Sequence, residues 1–202
     1  MNIQTIGPEE LGKLGWSVSM GELSAPAIPF VADLLDRHAG THLLVFAPKI
    51  YTDGSPITLN SLRDRFGIDP AISEPCFYNQ DWYLKEDFAN EPLDGNWHLI
   101  RKDVLEDARA KSPEDIEATI PSSERFPSAA LYAFAFLAWW FHTGGEKLWK
   151  HDFVWSRDRD HNGDRIYVGR YEDPDGINKN GFNIHRHLSL RSAYSAAPEI
   201  TG

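Results

Sequence analysis

Hydrophobic and polar positions alternate with two different rhythms along this chain. In the first zone, to about Phe66, most apolar residues recur at helical spacing around one strand. Ile28, Val31, Leu34, Leu35 and His38 share such a spacing, which predicts a helix with Ser24 as its candidate cap and Gly40 as its stop. His38 reads there as a residue of the helix C-terminus, where a positive group suits the dipole. Thr41–Pro48 is a short apolar run between breakers, hence a strand. Asp53-Gly54 marks a turn, and Thr58 caps a short helix carrying Leu59, Leu62 and Phe66 on one side. Pro70 to Pro75 reads as loop, and Trp82-Tyr83-Leu84 as a short strand or an aromatic anchor within a loop.

From Trp97 the pattern sharpens. After the turn Asp94-Gly95-Asn96, the segment Trp97–Arg101 alternates as a half-buried strand, with Trp97, Leu99 and Arg101 on one face. Ser112-Pro113-Glu114-Asp115 is a helix start, and Pro121 limits that helix to about two turns. Ser128–Phe141 is apolar around nearly its whole circumference and ends at Gly144-Gly145, which predicts a helix packed on several sides. Three strands are expected after it: Asp152–Arg157, Arg165–Tyr171 and His187–Tyr194. The first two flank Asn162-Gly163, a strong hairpin signal whose two residues tolerate positive φ. The pattern predicts an α+β fold: a helical N-terminal part, and a buried central helix packed on a small antiparallel sheet. No repeat or flexible linker divides the chain, so residues 1–202 are expected to form one domain.

Composition narrows the function classes. With 30 acidic against 20 basic residues and a net charge of −10, the chain lacks the excess of Lys and Arg that phosphate backbones or anionic membranes require. Neither nucleic acid nor a membrane is therefore expected as a partner. The 14 residues of the apolar run fall short of the roughly 20 that span a bilayer. Met1 to Trp16 shows no basic start followed by an apolar run, so a cytoplasmic location is the expectation. Aromatic residues reach 12%, which suits a dense core or a rich contact surface.

Candidate chemistry is sparse. Asp158, Asp160, Asn162 and Asp164 place oxygens at alternate positions around Gly163, as at the start of a calcium loop. The twelfth position of that loop holds Gly169 in place of a bidentate Glu, and no helix follows. A cation site and a plain polar turn both remain open, with Arg157, Arg159 and Arg165 interleaved to balance the acids. His185 and His187 would share one side of a strand, a spacing some metal sites use. His98 and His142 have no partner that spacing identifies. Cys76 is the single cysteine, without a surrounding Cys–His signature, and reads as a buried thiol. No nucleophile elbow, phosphate loop or dinucleotide fingerprint is present.

The segment Trp97–Arg101, the triplet Val154-Trp155-Ser156 and the stretch Leu188-Ser189-Leu190-Arg191-Ser192 carry a family likeness. About half the chain, from Trp97 onward, resembles the C-type-lectin-like fold, closest to bacterial and phage modules related to formylglycine-generating enzymes. The proline of their W-R-L-P strand is absent here, and Cys76 alone cannot reproduce their copper-binding cysteine pair. The resemblance therefore implies binding of sugars, proteins or a host surface rather than catalysis. A non-catalytic binding module for a protein or carbohydrate ligand, without a required cofactor, is the leading expectation. A hydrolase using carboxylate and His groups, and a structural part of a bacterial or phage assembly, are the alternatives.

Overall fold

A computed structural model describes residues 3–14, 26–175, 181–186 and 190–202. It is α+β. In chain order the elements are β1 (Gln4–Ile6), α1 (Pro8–Lys13), α2 (Ala32–His38), β2 (His42–Ala47), α3 (Leu59–Phe66), α4 (Asp87–Asn90) and β3 (Asn96–Arg101). A 3-10 turn at Glu106–Ala108 and α5 (Pro113–Glu117) follow. Then come β4 (Glu124–Arg125), α6 (Ala129–Thr143), β5 (Phe153–Arg159), β6 (Arg165–Gly169), β7 (Asn183–His185), β8 (Tyr194–Ser195) and β9 (Glu199–Ile200).

Local sequence chemistry sets several of the helix ends. Thr58 accepts from the Ser61 amide while the Ser61 side chain returns to the Thr58 amide, closing a capping box at α3. Ser112 caps α5 through the Asp115 amide, and Ser128 caps α6 through the Leu131 amide. Gly144, at φ 76°, ends α6 in the left-handed conformation that an L side chain resists. Eleven residues of α6, from Ala129 to Trp139, are buried. The helix touches both sheets as well as α3 and α4, as an all-round apolar surface requires. Trp82-Tyr83-Leu84 is an anchor rather than a strand: Tyr83 is fully buried, and the Trp82 indole donates to the Ile184 carbonyl at 3.2 Å.

The single small antiparallel sheet that the pattern predicts is replaced by two mixed sheets. One has the order β1-β2-β3-β9-β4 with β1 parallel to β2, and joins strands of both zones. The other has the order β7-β6-β5-β8 with β8 parallel to β5. In the first sheet Trp97, His98, Leu99 and Ile100 are all buried, so β3 is covered on both faces rather than half-buried. Two further expectations change. The helix expected from Ile28 starts at Ala32, since Pro29 disfavours helical backbone at the residue before it. Its candidate cap Ser24 lies outside the described residues, as do His187, Leu188 and Ser189. Residues 190–193 are not a strand: the Tyr194 amide closes a turn on the Arg191 carbonyl at 2.9 Å.

β5 and β6 do pair antiparallel as expected, from Phe153↔Gly169 to Arg159↔Arg165, with an irregularity between Trp155 and Arg159. Their connection is the five-residue loop Asp160 to Asp164, and Gly163 supplies the positive φ of 86° without help from Asn162. The pleat divides this hairpin between two cores. Val154, Ile166, Val168 and Ile184 face the large cluster containing α6. Phe153, Trp155, Tyr167 and Tyr194 join a second cluster with Ile116 and Phe126. The far face of the four-stranded sheet is thus aromatic.

Candidate ligand cleft

The calcium-like loop is held by protein partners. Asp158 turns inward and its carboxylate accepts from the Ala129 amide at 2.6 Å, at the first turn of α6. Burial pushes the Asp158 carboxyl up to about 6, against the pull of that N–H and of Arg157. Asp160 accepts from the Asn162 and Asp164 amides, both at 2.9 Å, and pairs with Arg186 at 2.6 Å. Asn162 is exposed and Asp164 half-buried. The four oxygen donors named from sequence therefore do not converge. Among the described residues, no group of three or more His, Cys, Asp or Glu is placed to hold a metal ion. The loop docks instead on Glu86, which accepts from the His161 amide at 2.9 Å and meets its ring at 2.6 Å. Arg186 lies over the Trp82 ring at 4.6 Å.

His98 has the partners of a catalytic relay but a different chemistry. Its Nε2 meets Asp94 at 2.9 Å and its Nδ1 meets Glu199 at 2.6 Å, with Arg125 on the other Glu199 oxygen at 2.7 Å. Burial alone would lower its pKa, but the bonds to Asp94 and then Glu199 outweigh it and raise it to about 9. Both nitrogens are protonated and both are engaged, so the ring has no free site for proton transfer. It ties the turn before β3 to β9. Cys76 is buried near the Tyr171 hydroxyl at 3.7 Å, and burial pushes its thiol up, which disfavours the reactive thiolate. His142 is exposed on the last turn of α6.

Another histidine, His185, lines a cleft of about 480 Å³ on the aromatic face of the four-stranded sheet. Register builds it. Tyr167 on β6 stands opposite His185 on β7, and Phe153 on β5 stands opposite Tyr194 on β8. His185 stacks on Tyr167 with centroids 5.6 Å apart and meets Phe153 edge-on at 5.6 Å. Tyr194 lies 5.1 Å from Tyr167 and 5.4 Å from Phe153. These three rings are buried and form a floor, whereas Tyr78 on the wall is 37% exposed.

Polar groups ring this floor. Gln80 reaches both ring nitrogens of His185 with its amide nitrogen, at 3.3 and 3.2 Å, and its buried carbonyl oxygen has no partner among the described residues. Burial, reinforced by the Arg170 charge, lowers the His185 pKa, so its ring is neutral at neutral pH. Arg170 pairs with Asp173 at 3.1 Å, and the Asn183 amide donates to the Arg170 and Gly181 carbonyls at 2.8 and 3.0 Å. Gly181 fixes this wall: its φ is 85°, and a Cβ there would come within 2.5 Å of the Phe77 backbone. The arrangement offers planar hydrogen-bonding groups around apolar rings, the composition of a recognition site.

No protein family, no curated protein and no solved structure matches the chain. In the sequence His185 is marked only by its spacing from His187, and no motif marks Tyr78, Phe153 or Tyr194. A signal for Tyr167 did exist, because Ile166 and Val168 alternate with it and put it on the opposite face.

Proposed function

We propose that this protein is a non-catalytic binding module whose ligand is a carbohydrate seated in the cleft of the four-stranded sheet. The cleft lining carries the reading: aromatic rings at the floor and wall, bordered by an amide, a neutral imidazole and guanidinium groups. A sugar presents an apolar C–H face edged by hydroxyls, which is the complement of such a lining. Tyr78 has the solvent-open ring against which that face would pack. The neutral His185 is oriented by an amide and by rings, which suits hydrogen bonding better than the carboxylate-steered proton transfer of a hydrolase. The lectin-like likeness of β3 and of Val154-Trp155-Ser156 supports the same reading. The third segment of that likeness contributes less, because residues 190–192 form no strand.

The test is titration with glucose, galactose, mannose and N-acetylglucosamine, followed through the ring NMR signals of His185 and the tyrosines. Saturable shifts confined to cleft residues are expected for at least one sugar, weakened severalfold in Tyr78→Ala. Cleft signals that none of the sugars moves would overturn the proposal.

A further inference from the structure

We infer that the cleft selects acidic sugars, with Arg191 receiving the ligand's carboxylate, an inference that rests on the carbohydrate reading above. Four observations lead there. First, Arg191 lines the cleft and is exposed, and its guanidinium has no hydrogen-bond or ion-pair partner among the described residues. Among the other arginines of the second sheet, Arg159 bonds the Gly163 carbonyl and Glu114, Arg165 pairs with Glu117 and Arg186 with Asp160, whereas Arg157 has no such partner among the described residues but does not line the cleft. Second, Arg170 on the same cleft is half committed. One of its terminal nitrogens meets Asp173, while its Nε is buried without a partner.

Third, the charge of the lining runs against that of the molecule. Among the described residues, Arg170 and Arg191 face Asp173 as the one acid lining the cleft, so this lining is net positive in a chain of net charge −10. A positive recess in an acidic surface concentrates small anions and repels cations. Fourth, the guanidinium fork matches a carboxylate with two parallel hydrogen bonds, a geometry that lysine does not offer. A sugar ring resting on Tyr78 with its carboxylate toward Arg191 would use both kinds of lining at once. Arg191 is thus a specificity-determining residue, and the aromatic rings bind what it selects.

The discriminating experiment compares methyl glucuronide, methyl glucoside and adenosine monophosphate at low and high salt, again by the ring signals of the cleft. The glucuronide is expected to bind about tenfold tighter than the glucoside at low salt, equivalent to about 1.4 kcal/mol. Salt should narrow the gap, because Arg191 is exposed and screened. Arg191→Gln should bring the two affinities together, and Arg191→Lys should restore part of the difference. Circular dichroism of both variants should match the parent, since the side chain supports nothing else. Equal affinities for glucuronide and glucoside would overturn the acidic-sugar inference and leave the carbohydrate reading standing. Tighter binding of the nucleotide than of the glucuronide would replace the sugar by a phosphate ligand. Cleft signals that no compound moves would remove both.

Discussion

His98 and His185 sit on different sheets of one protein, and their surroundings give them opposite characters. In the five-stranded sheet His98 lies between two carboxylates and is held as a buried cation. In the four-stranded sheet His185 lies among rings, an amide and the Arg170 charge, and is held neutral. Burial penalises the charged imidazole in both places. What differs is whether acids saturate the ring nitrogens. A saturated histidine fastens strands together, whereas an unsaturated one beside open volume keeps hydrogen-bonding capacity for a ligand. The presence of a carboxylate beside a histidine is therefore a poor guide to catalysis when a second carboxylate occupies the other nitrogen.

Breaking the charged histidine should have the largest effect. His98→Gln leaves Glu199 and Asp94 without their cation, and removal of one member of a buried ionic group costs about 3–5 kcal/mol. Urea denaturation is expected to show a loss of this size, while His185→Gln should cost about 1 kcal/mol, the ordinary loss for a point substitution that removes ring contacts without stranding a charge. Equal losses for the two variants would dissolve the contrast.

The same contrast has a pH signature. The folded pKa of His98, about 9, lies above the ordinary imidazole value, so its contribution is complete below pH ~6.5 and fades as pH rises through about 9. Up to about 3 kcal/mol is at stake over that window, at 1.36 kcal/mol per pKa unit. Asp94, depressed to about 2, and the lowered Glu199 behave oppositely and lose their contribution as pH falls into the acid range. Denaturation midpoints from pH 6 to pH 10 should decline in the parent and stay flatter in His98→Gln. A parent curve with no decline over that range would show that His98 is not held as a cation.

A smaller effect tests the second sheet alone. Gly163→Val forces a β-branched residue toward a φ of 86°, and should cost about 1 kcal/mol or more. Hydrogen exchange should report that loss at β5 and β6 more than at β2 and β3. The smallest effect concerns the loop beside it. Because Asp158 and Asp160 already have internal donors, millimolar calcium is expected to leave the melting temperature where chelator leaves it. A clear upward shift would restore the cation reading, since a ligand at 100 times its dissociation constant adds about 2.7 kcal/mol.

Residues that act on their near neighbours were legible from the chain. Thr58, Ser112, Ser128 and Gly144 end helices through contacts within a few positions, and the apolar circumference of α6 announced its burial. The two-residue strands β4, β8 and β9 were not legible, because so short a segment carries no alternation and is defined wholly by its partners. Leu190 to Ala193 shows the reverse case: an alternating pattern that closes into a turn, with Leu190 left 45% exposed. The cleft stayed hidden for a related reason. Tyr167, His185, Phe153 and Tyr194 meet only through strand register, and none of these pairings leaves a local mark.

The position of β9 carries a kinetic consequence. It is hydrogen-bonded to β3 on one side and β4 on the other, and β4 has no other strand partner among the described residues. The pairing Leu99↔Ile200 closes a loop of about half the chain, and long-range closure of this kind is slow relative to local pairing. We expect β1, β2 and β3 to associate first, leaving Glu199 and Arg125 unordered until β9 inserts. Pulse-labelled hydrogen exchange during refolding would then show early protection in β2 and late protection in β4 and β9. Simultaneous protection of all three would mean that the sheet forms in one step. On the stepwise route Asp94 is beside His98 from the start and Glu199 arrives last, so the second ring nitrogen gains its partner only as the sheet closes.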